Sequence, residues 1–150
     1  MKPTPAGWPR LSSAIYYEDA KAAIDWLCKA FGFEVRILVE APEDQGGGVL
    51  HSELVYGDAV VMIASARPDA SPRFGVPMRS PIAVGAANTQ NLMLYVDDAI
   101  AHCEQARAAG AMITAEPEVH DYGDEYWADR SYGCIDTEGH LWWFSERVRG

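Results

Sequence analysis

The feature that most constrains this chain is that one pattern is written in it twice. Set "SSAIYYEDAKAAIDWLCKAFG", from Ser12, against "NLMLYVDDAIAHCEQARAAG", from Asn91, and Tyr16, Asp19, Ala20, Ala22 and Ala30 meet Tyr95, Asp98, Ala99, Ala101 and Ala109 at a constant offset of 79. Self-similarity of this kind marks a repeated supersecondary unit. The chain therefore contains two related halves.

Each half begins with a short β-type run and reaches an acidic helix start, Glu18-Asp19 or Asp97-Asp98, where a carboxylate can accept orphan backbone N–H groups. In the first helix Ala20, Ala23, Ile24, Leu27 and Phe31 fall on one face and Gly32 ends it; Gly110 ends the second. Both helices are expected to be amphipathic and to cover a sheet. Extended runs follow, "FEVRILVE", "GVLHSELVYG" and "AVVMIAS" in one half, "MITAE", "RSYGCID" and "HLWWFSER" in the other. The order is β-α-β-β-β, stated twice, an α+β arrangement. The boundaries are a first module at about 10–65, a linker at about 66–89 and a second module at about 90–147, together one domain over 1–150. In the linker, Pro68, Pro72, Pro77 and Pro81 disfavour a central strand, so the segment reads as a connection or as a flap over a cavity.

Bulk properties narrow the function. With 150 residues, 49% of them apolar, the chain can bury a core of ordinary size. It carries no apolar run long enough for a membrane helix and no secretory start, so a soluble cytoplasmic protein is expected. A formal charge of −10 argues against nucleic acid as a partner and suits a neutral or cationic small ligand. Cys28, Cys103 and Cys134 fit no metal or redox spacing and read as reduced, mostly buried thiols.

Two β-α-β-β-β modules, the "FGF" after the first helix and the closing "DTEGHLWWFSE" together resemble the vicinal oxygen chelate superfamily, the group of glyoxalases, bleomycin-resistance proteins and dioxygenases. The resemblance covers about residues 10 to 147. It implies curved sheets around an open cavity and a homodimer that completes the cavity across its interface. In the metal-dependent members the resemblance points to four ligand positions, which fall here on Ser12, Asn91, Val61 or Met62, and Trp143. None is an imidazole or a carboxylate, so a metal-free branch without a cofactor is expected.

Alternation then places Ser12, Ala14 and Tyr16 on one strand face, with Asn91, Met93, Tyr95, Trp143 and Ser145 as counterparts. This set reads either as a ligand-binding wall or as core filling. His51 and Glu53, two apart on a strand, are a base with its orienter, two ligands of an unusual metal site, or a half-buried pair. Arg130, on a face with Tyr132 and Cys134, is an anion clamp or the partner of Asp129 or a Glu. His140 points away from Trp143. "EPEVHDYGDEYWAD" carries six carboxylates among Tyr122, Tyr126 and Trp127 and reads as a cation-attracting lip or a solvated acidic loop. Asp136 to Gly139 is expected to form the turn before the adjacent tryptophans.

Three functions remain open on sequence. One is a binding protein of the bleomycin-resistance kind, taking a hydrophobic or cationic small molecule on Tyr16, Asn91, Met93, Tyr95, Trp127, Tyr132 and Trp143. A second is a lyase, isomerase or dioxygenase-type enzyme using His51, Glu53 or Arg130, with or without a displaced metal site. A third is a scaffold whose main role is dimerisation.

Overall fold

The structure is a computed structural model and describes residues 1–69 and 74–150. The first half builds β1 (Ser13–Tyr17), α1 (Ala20–Phe31), β2 (Glu34–Glu40), β3 (Val49–Tyr56) and β4 (Ala59–Ser65). The second repeats the order with β5 (Leu92–Tyr95), α2 (Ala99–Ala108), β6 (Met112–Asp121), β7 (Ala128–Ile135) and β8 (Leu141–Arg149). Each half makes one four-stranded sheet, in the orders β1-β4-β3-β2 and β5-β8-β7-β6. The first strand of each sheet is parallel to the last, as the helical crossover requires, and the other pairs are antiparallel. The fold is thus α+β with paired β-α-β-β-β modules and sheets that do not close. No helix among the described residues is long and apolar enough to cross a membrane.

Local chemistry explains the helix ends. Asp19 accepts the N–H of Ala22, and Asp98 accepts those of Ile100 and Ala101. Gly32 closes α1 in the left-handed region at φ 78°, a conformation that costs a side-chain-bearing residue. The buried face of α1 is Ala20, Ala23, Ile24, Leu27, Ala30 and Phe31, as its spacing implies. The buried face of α2 is Ala99, His102, Cys103 and Ala106, three small residues and a histidine rather than a broad apolar stripe. Cys103 and Cys134 are buried and Cys28 is half-buried; burial pushes the Cys134 thiol up to about 12.

The reason α2 tolerates small residues is that its sheet is filled by others. Phe31 reaches across from α1 to lie 5.3 Å from Trp142 and 4.7 Å from Phe144, ring centre to ring centre. Phe33 adds a contact to Trp142 at 5.8 Å. One continuous apolar cluster therefore joins both modules. The helices are tied by Trp26 Nε1, which donates to the Ala109 carbonyl, and by Gln105 Nε2, which donates to that of Lys29.

Two segments differ from the sequence expectation. The acidic stretch 116–129 is mostly hairpin: β6 runs to Asp121 and β7 starts at Ala128. Pro117 is accommodated because β6 is an edge strand and its pairing slips between Ala115 and Glu118. Its charge is also partly neutralised, with Glu116 on Arg107, Asp121 on Arg149 and Asp129 on Arg147. The linker, apart from Pro72, which lies outside the described residues, is held by backbone bonds between Arg67 and Met78 and a 3-10 turn over Pro81–Val84. Ile82 N–H donates to the Glu138 carbonyl, Arg79 pairs with Glu18, and Asn88 bonds Gly139 and Leu141, so it straps the first module to the β7–β8 turn.

That turn is built on one carboxylate. Asp136 Oδ1 accepts the N–H groups of Glu138 and His140, and Oδ2 accepts Tyr17 Oη–H at 2.6 Å and Trp142 Nε1–H at 3.0 Å. A charged oxygen with this many donors is satisfied although buried.

Candidate functional site

Register decides which side chains leave the core. Leu54 and Val61 pair, as do Ile15 and Ile63, and these four side chains are buried in the cluster under the helices. The intervening residues Tyr16, His51, Glu53 and Met62 therefore occupy the opposite, open face of the first sheet. In the second sheet Trp142 and Phe144 point into the core, which sends Met93, Tyr95, Trp143, Ser145 and Arg147 to the open face.

On the first open face His51 Nε2 stands 3.2 Å from Glu53 Oε1, and Arg36 Nε donates to Glu53 Oε2 at 2.7 Å. Burial alone would push the Glu53 carboxyl up, but the bonds from His51 and Arg36 outweigh it and hold it below the usual carboxylate range. The carboxylate fixes one ring nitrogen of His51 while the ring stays half-exposed. His51 shares a cavity of about 320 Å³ with Ala14, Tyr16 and Met62.

The second open face is aromatic. Tyr95 Oη donates to Asp129 Oδ2 at 3.0 Å, and Arg147 donates to both Asp129 and Tyr95 Oη. The Arg147 guanidinium also lies 5.4 Å from the Tyr95 ring centre and 5.2 Å from that of Trp127. Two rings thus lie within cation–π distance of one cation beside a buried carboxylate. Burial opposes ionisation of Asp129, but bonds from Arg147 and Tyr95 pull its carboxyl below the usual range. Trp143 is half-buried and lies across Gly133, where a Cβ would stand 3.2 Å from its ring. A side chain there would need the Trp143 ring and the Thr114 hydroxyl, 3.1 Å away, to give by a few tenths of an ångström. Ser131 and Ser145 share a hydrogen bond of 2.8 Å on the same face. Met93, Tyr95 and Trp127 are 55%, 45% and 42% exposed, a large apolar area to leave in water.

Other candidates lie elsewhere. Arg130 pairs with Glu146, which also accepts the Ala99 N–H at the start of α2, so it sits on the helix side, braces that helix and stands clear of both open faces. Tyr132 is fully buried and hydrogen-bonds His102, which makes it core rather than surface. Asn91 is exposed and, with Met93, lines a separate cavity of about 500 Å³ near Ser12 and Leu92. His140 packs on Tyr17 and bonds the Tyr16 carbonyl. The Tyr16–His51 group and the Asn91–Met93 group line different cavities. Sequence reading missed Arg36 and Arg147, because an arginine's partner depends on strand pairing that no local spacing reveals.

The four positions that would hold a divalent ion are also set by register. Ala14 pairs with Met62 and Met93 with Trp143, so Met62 and Trp143 are equivalent, and Ser12 and Asn91 stand just ahead of β1 and β5. A hydroxyl, a thioether, an amide and an indole do not make a site for a catalytic divalent cation. Among the described residues no group of three or more His, Cys, Asp or Glu is placed to hold one.

Comparison with known proteins agrees with this architecture. The family described as Glyoxalase/Bleomycin resistance protein/Dioxygenase superfamily matches residues 11–144. An uncharacterized protein of Mycobacterium bovis, Mb0911c, is 30% identical over 142 residues, covering 94% of this chain and 85% of its own. Among solved structures, TioX from Micromonospora sp. ML1 superposes with a TM-score of 0.67 at 26% identity, over 93% of this chain and 99% of that one. The fosfomycin resistance protein FosX of Listeria monocytogenes, solved with Mn(II) and a dihydroxypropylphosphonic acid, shares the fold at a TM-score of 0.56 and 10% identity, over 89% of this chain and 85% of its own. With its repeat, its paired sheets and a match over most of its length, the chain belongs to the glyoxalase, bleomycin-resistance and dioxygenase superfamily.

Proposed function

We propose that this protein binds a planar, hydrophobic small molecule, cationic in its favoured form, on the open face of the second sheet, without a metal. The observation that carries the reading is the Arg147 guanidinium lying 5.4 Å from the Tyr95 ring centre and 5.2 Å from that of Trp127, bonded to Asp129, on the face that Trp143 also shares farther along β8. A face that already holds a planar cation against two rings has the chemistry to hold another, and the net charge of −10 draws cations toward it. We extend the proposal to a homodimer in which a second copy covers this face. The unpaired edges of β1 and β5 and the exposed Val35, Ile37, Leu38 and Val39 of β2 support it. The reading is tested by calorimetric titration with the planar cation proflavine and its neutral ring analogue acridine at mildly alkaline pH. Proflavine is expected to bind more tightly, with affinity lost in Trp143→Ala; equal affinities, or a Trp143→Ala variant that binds normally, would contradict it.

A second reading rests on the His51–Glu53–Arg36 chain. A carboxylate anchored by Arg36 and directed at an imidazole on a cavity wall is an arrangement suited to a general base. It predicts turnover of a carbon acid that is lost in Glu53→Gln while the fold is retained.

A further inference from the structure

The first open face holds a group that the aromatic reading does not use. Arg67 and Phe74 complete the 320 Å³ cavity that also contains Tyr16, His51 and Met62. The Arg67 guanidinium lies 5.4 Å from the Phe74 ring centre, and its buried Nε has no hydrogen-bond partner among the described residues. Among the described residues no carboxylate stands within ion-pairing distance of it. Those same pairs engage Arg36, Arg79, Arg107, Arg130, Arg147 and Arg149. In a chain with 22 acidic and 12 basic residues, a guanidinium left without an acid is conspicuous. A buried donor without an acceptor is costly, and its backbone is fixed in place by the paired hydrogen bonds to Met78 at 2.7 and 2.8 Å.

We propose that this cavity is a binding site for a small organic carboxylate, whose carboxyl group accepts from Arg67 and whose hydrocarbon part lies against Tyr16, Met62 and Phe74. A planar guanidinium matches a carboxylate in two parallel hydrogen bonds, and apolar walls strengthen them by excluding water. Arg67 is the one guanidinium among the described residues lining this cavity, whose other walls are Tyr16, His51 and mostly apolar side chains, and one guanidinium suits one negative charge better than the two of a phosphate. The site goes beyond the aromatic-face reading and does not rest on it.

The test is calorimetric titration of the whole protein with phenylacetate and with phenylacetamide, which has the same shape and no charge. The wild-type protein is expected to prefer phenylacetate by about tenfold or more. Arg67→Gln removes the preference, and Arg67→Lys, which keeps charge without the planar fork, retains part of it. Arg67→Gln is also expected to melt no lower than wild type, since it removes an unsatisfied donor. Equal binding of acid and amide, no binding of either, or a preference that survives Arg67→Gln would overturn the site. If Arg67→Gln does not fold, a wild-type preference that Arg67→Lys leaves undiminished overturns it equally. The Trp143→Ala variant should keep its phenylacetate affinity, so failure of the aromatic reading and failure of this one are separately visible.

Discussion

The two modules share a topology and differ in what they put at equivalent places. At one offset Ile24 and Leu27 of α1 correspond to Cys103 and Ala106 of α2, and on the last strands Val61, Met62 and Ile63 correspond to Trp142, Trp143 and Phe144. The first module carries its bulk on the helix, the second on the strand. The first open face accordingly carries Tyr16 and Met62 with a His–Glu–Arg chain, the second Tyr95, Trp127 and Trp143 with a Tyr–Asp–Arg cluster. Duplication fixed the frame, and divergence of bulk between helix and strand left one face with rings to spare for a ligand.

The largest way to break this comparison is at the residues that join the halves. Phe31→Ala and Trp142→Ala should each cost about 3–5 kcal/mol in urea unfolding, because each empties a shared part of the core. If either cost only as much as a surface change, the two cores would be independent. The hairpin turns sharpen it next. The first module turns through Gly57-Asp58 with Asp58 exposed, whereas the second turns on buried Asp136. Asp136→Ala should cost about 3 kcal/mol and Asp58→Ala within about 0.5 kcal/mol.

His102, where the first helix has Ala23, gives the second module a pH dependence of its own. Its Nε2 lies 3.0 Å from the Phe31 carbonyl, which can only accept, so Nε2 carries the hydrogen and Nδ1 accepts from Tyr132 Oη–H at 2.6 Å. Burial holds the imidazole below its usual range, more than the bond to Phe31 raises it. The unfolded chain then binds the proton first as pH falls, and stability present above about 6.5 declines below it. His102→Gln, measured by denaturation at a series of pH values, should flatten that decline; an unchanged profile would place its origin elsewhere. Trp143→Ala should cost only about 1 kcal/mol against the larger cost at its neighbour Trp142, because Trp143 is half-buried.

Much of this was legible in the sequence. The repeat, the caps at Asp19, Asp98 and Gly32, and the opposite facing of Trp142 and Trp143 are local or periodic signals, and these carry elements and faces. The acidic stretch reads as loop in the sequence because an edge strand tolerates Pro117 and several charges, and edge position is a property of the sheet. Arg130 and Tyr132 share a face as alternation implied, but which face meets the helices was not written locally. The pairing of Asp129 with Arg147 rather than Arg130 follows from register across β7 and β8, which only the folded sheet defines.

The five tryptophans make the most direct test of the central claim, that the second open face is the ligand platform. Their indole N–H signals, followed by NMR during proflavine titration, separate the face from the core. The account predicts movement of Trp127 and Trp143, with Trp26 and Trp142 still, because the last two are locked by bonds to Ala109 and Asp136. Movement confined to Trp8, or no change at Trp143 at saturation, would contradict it.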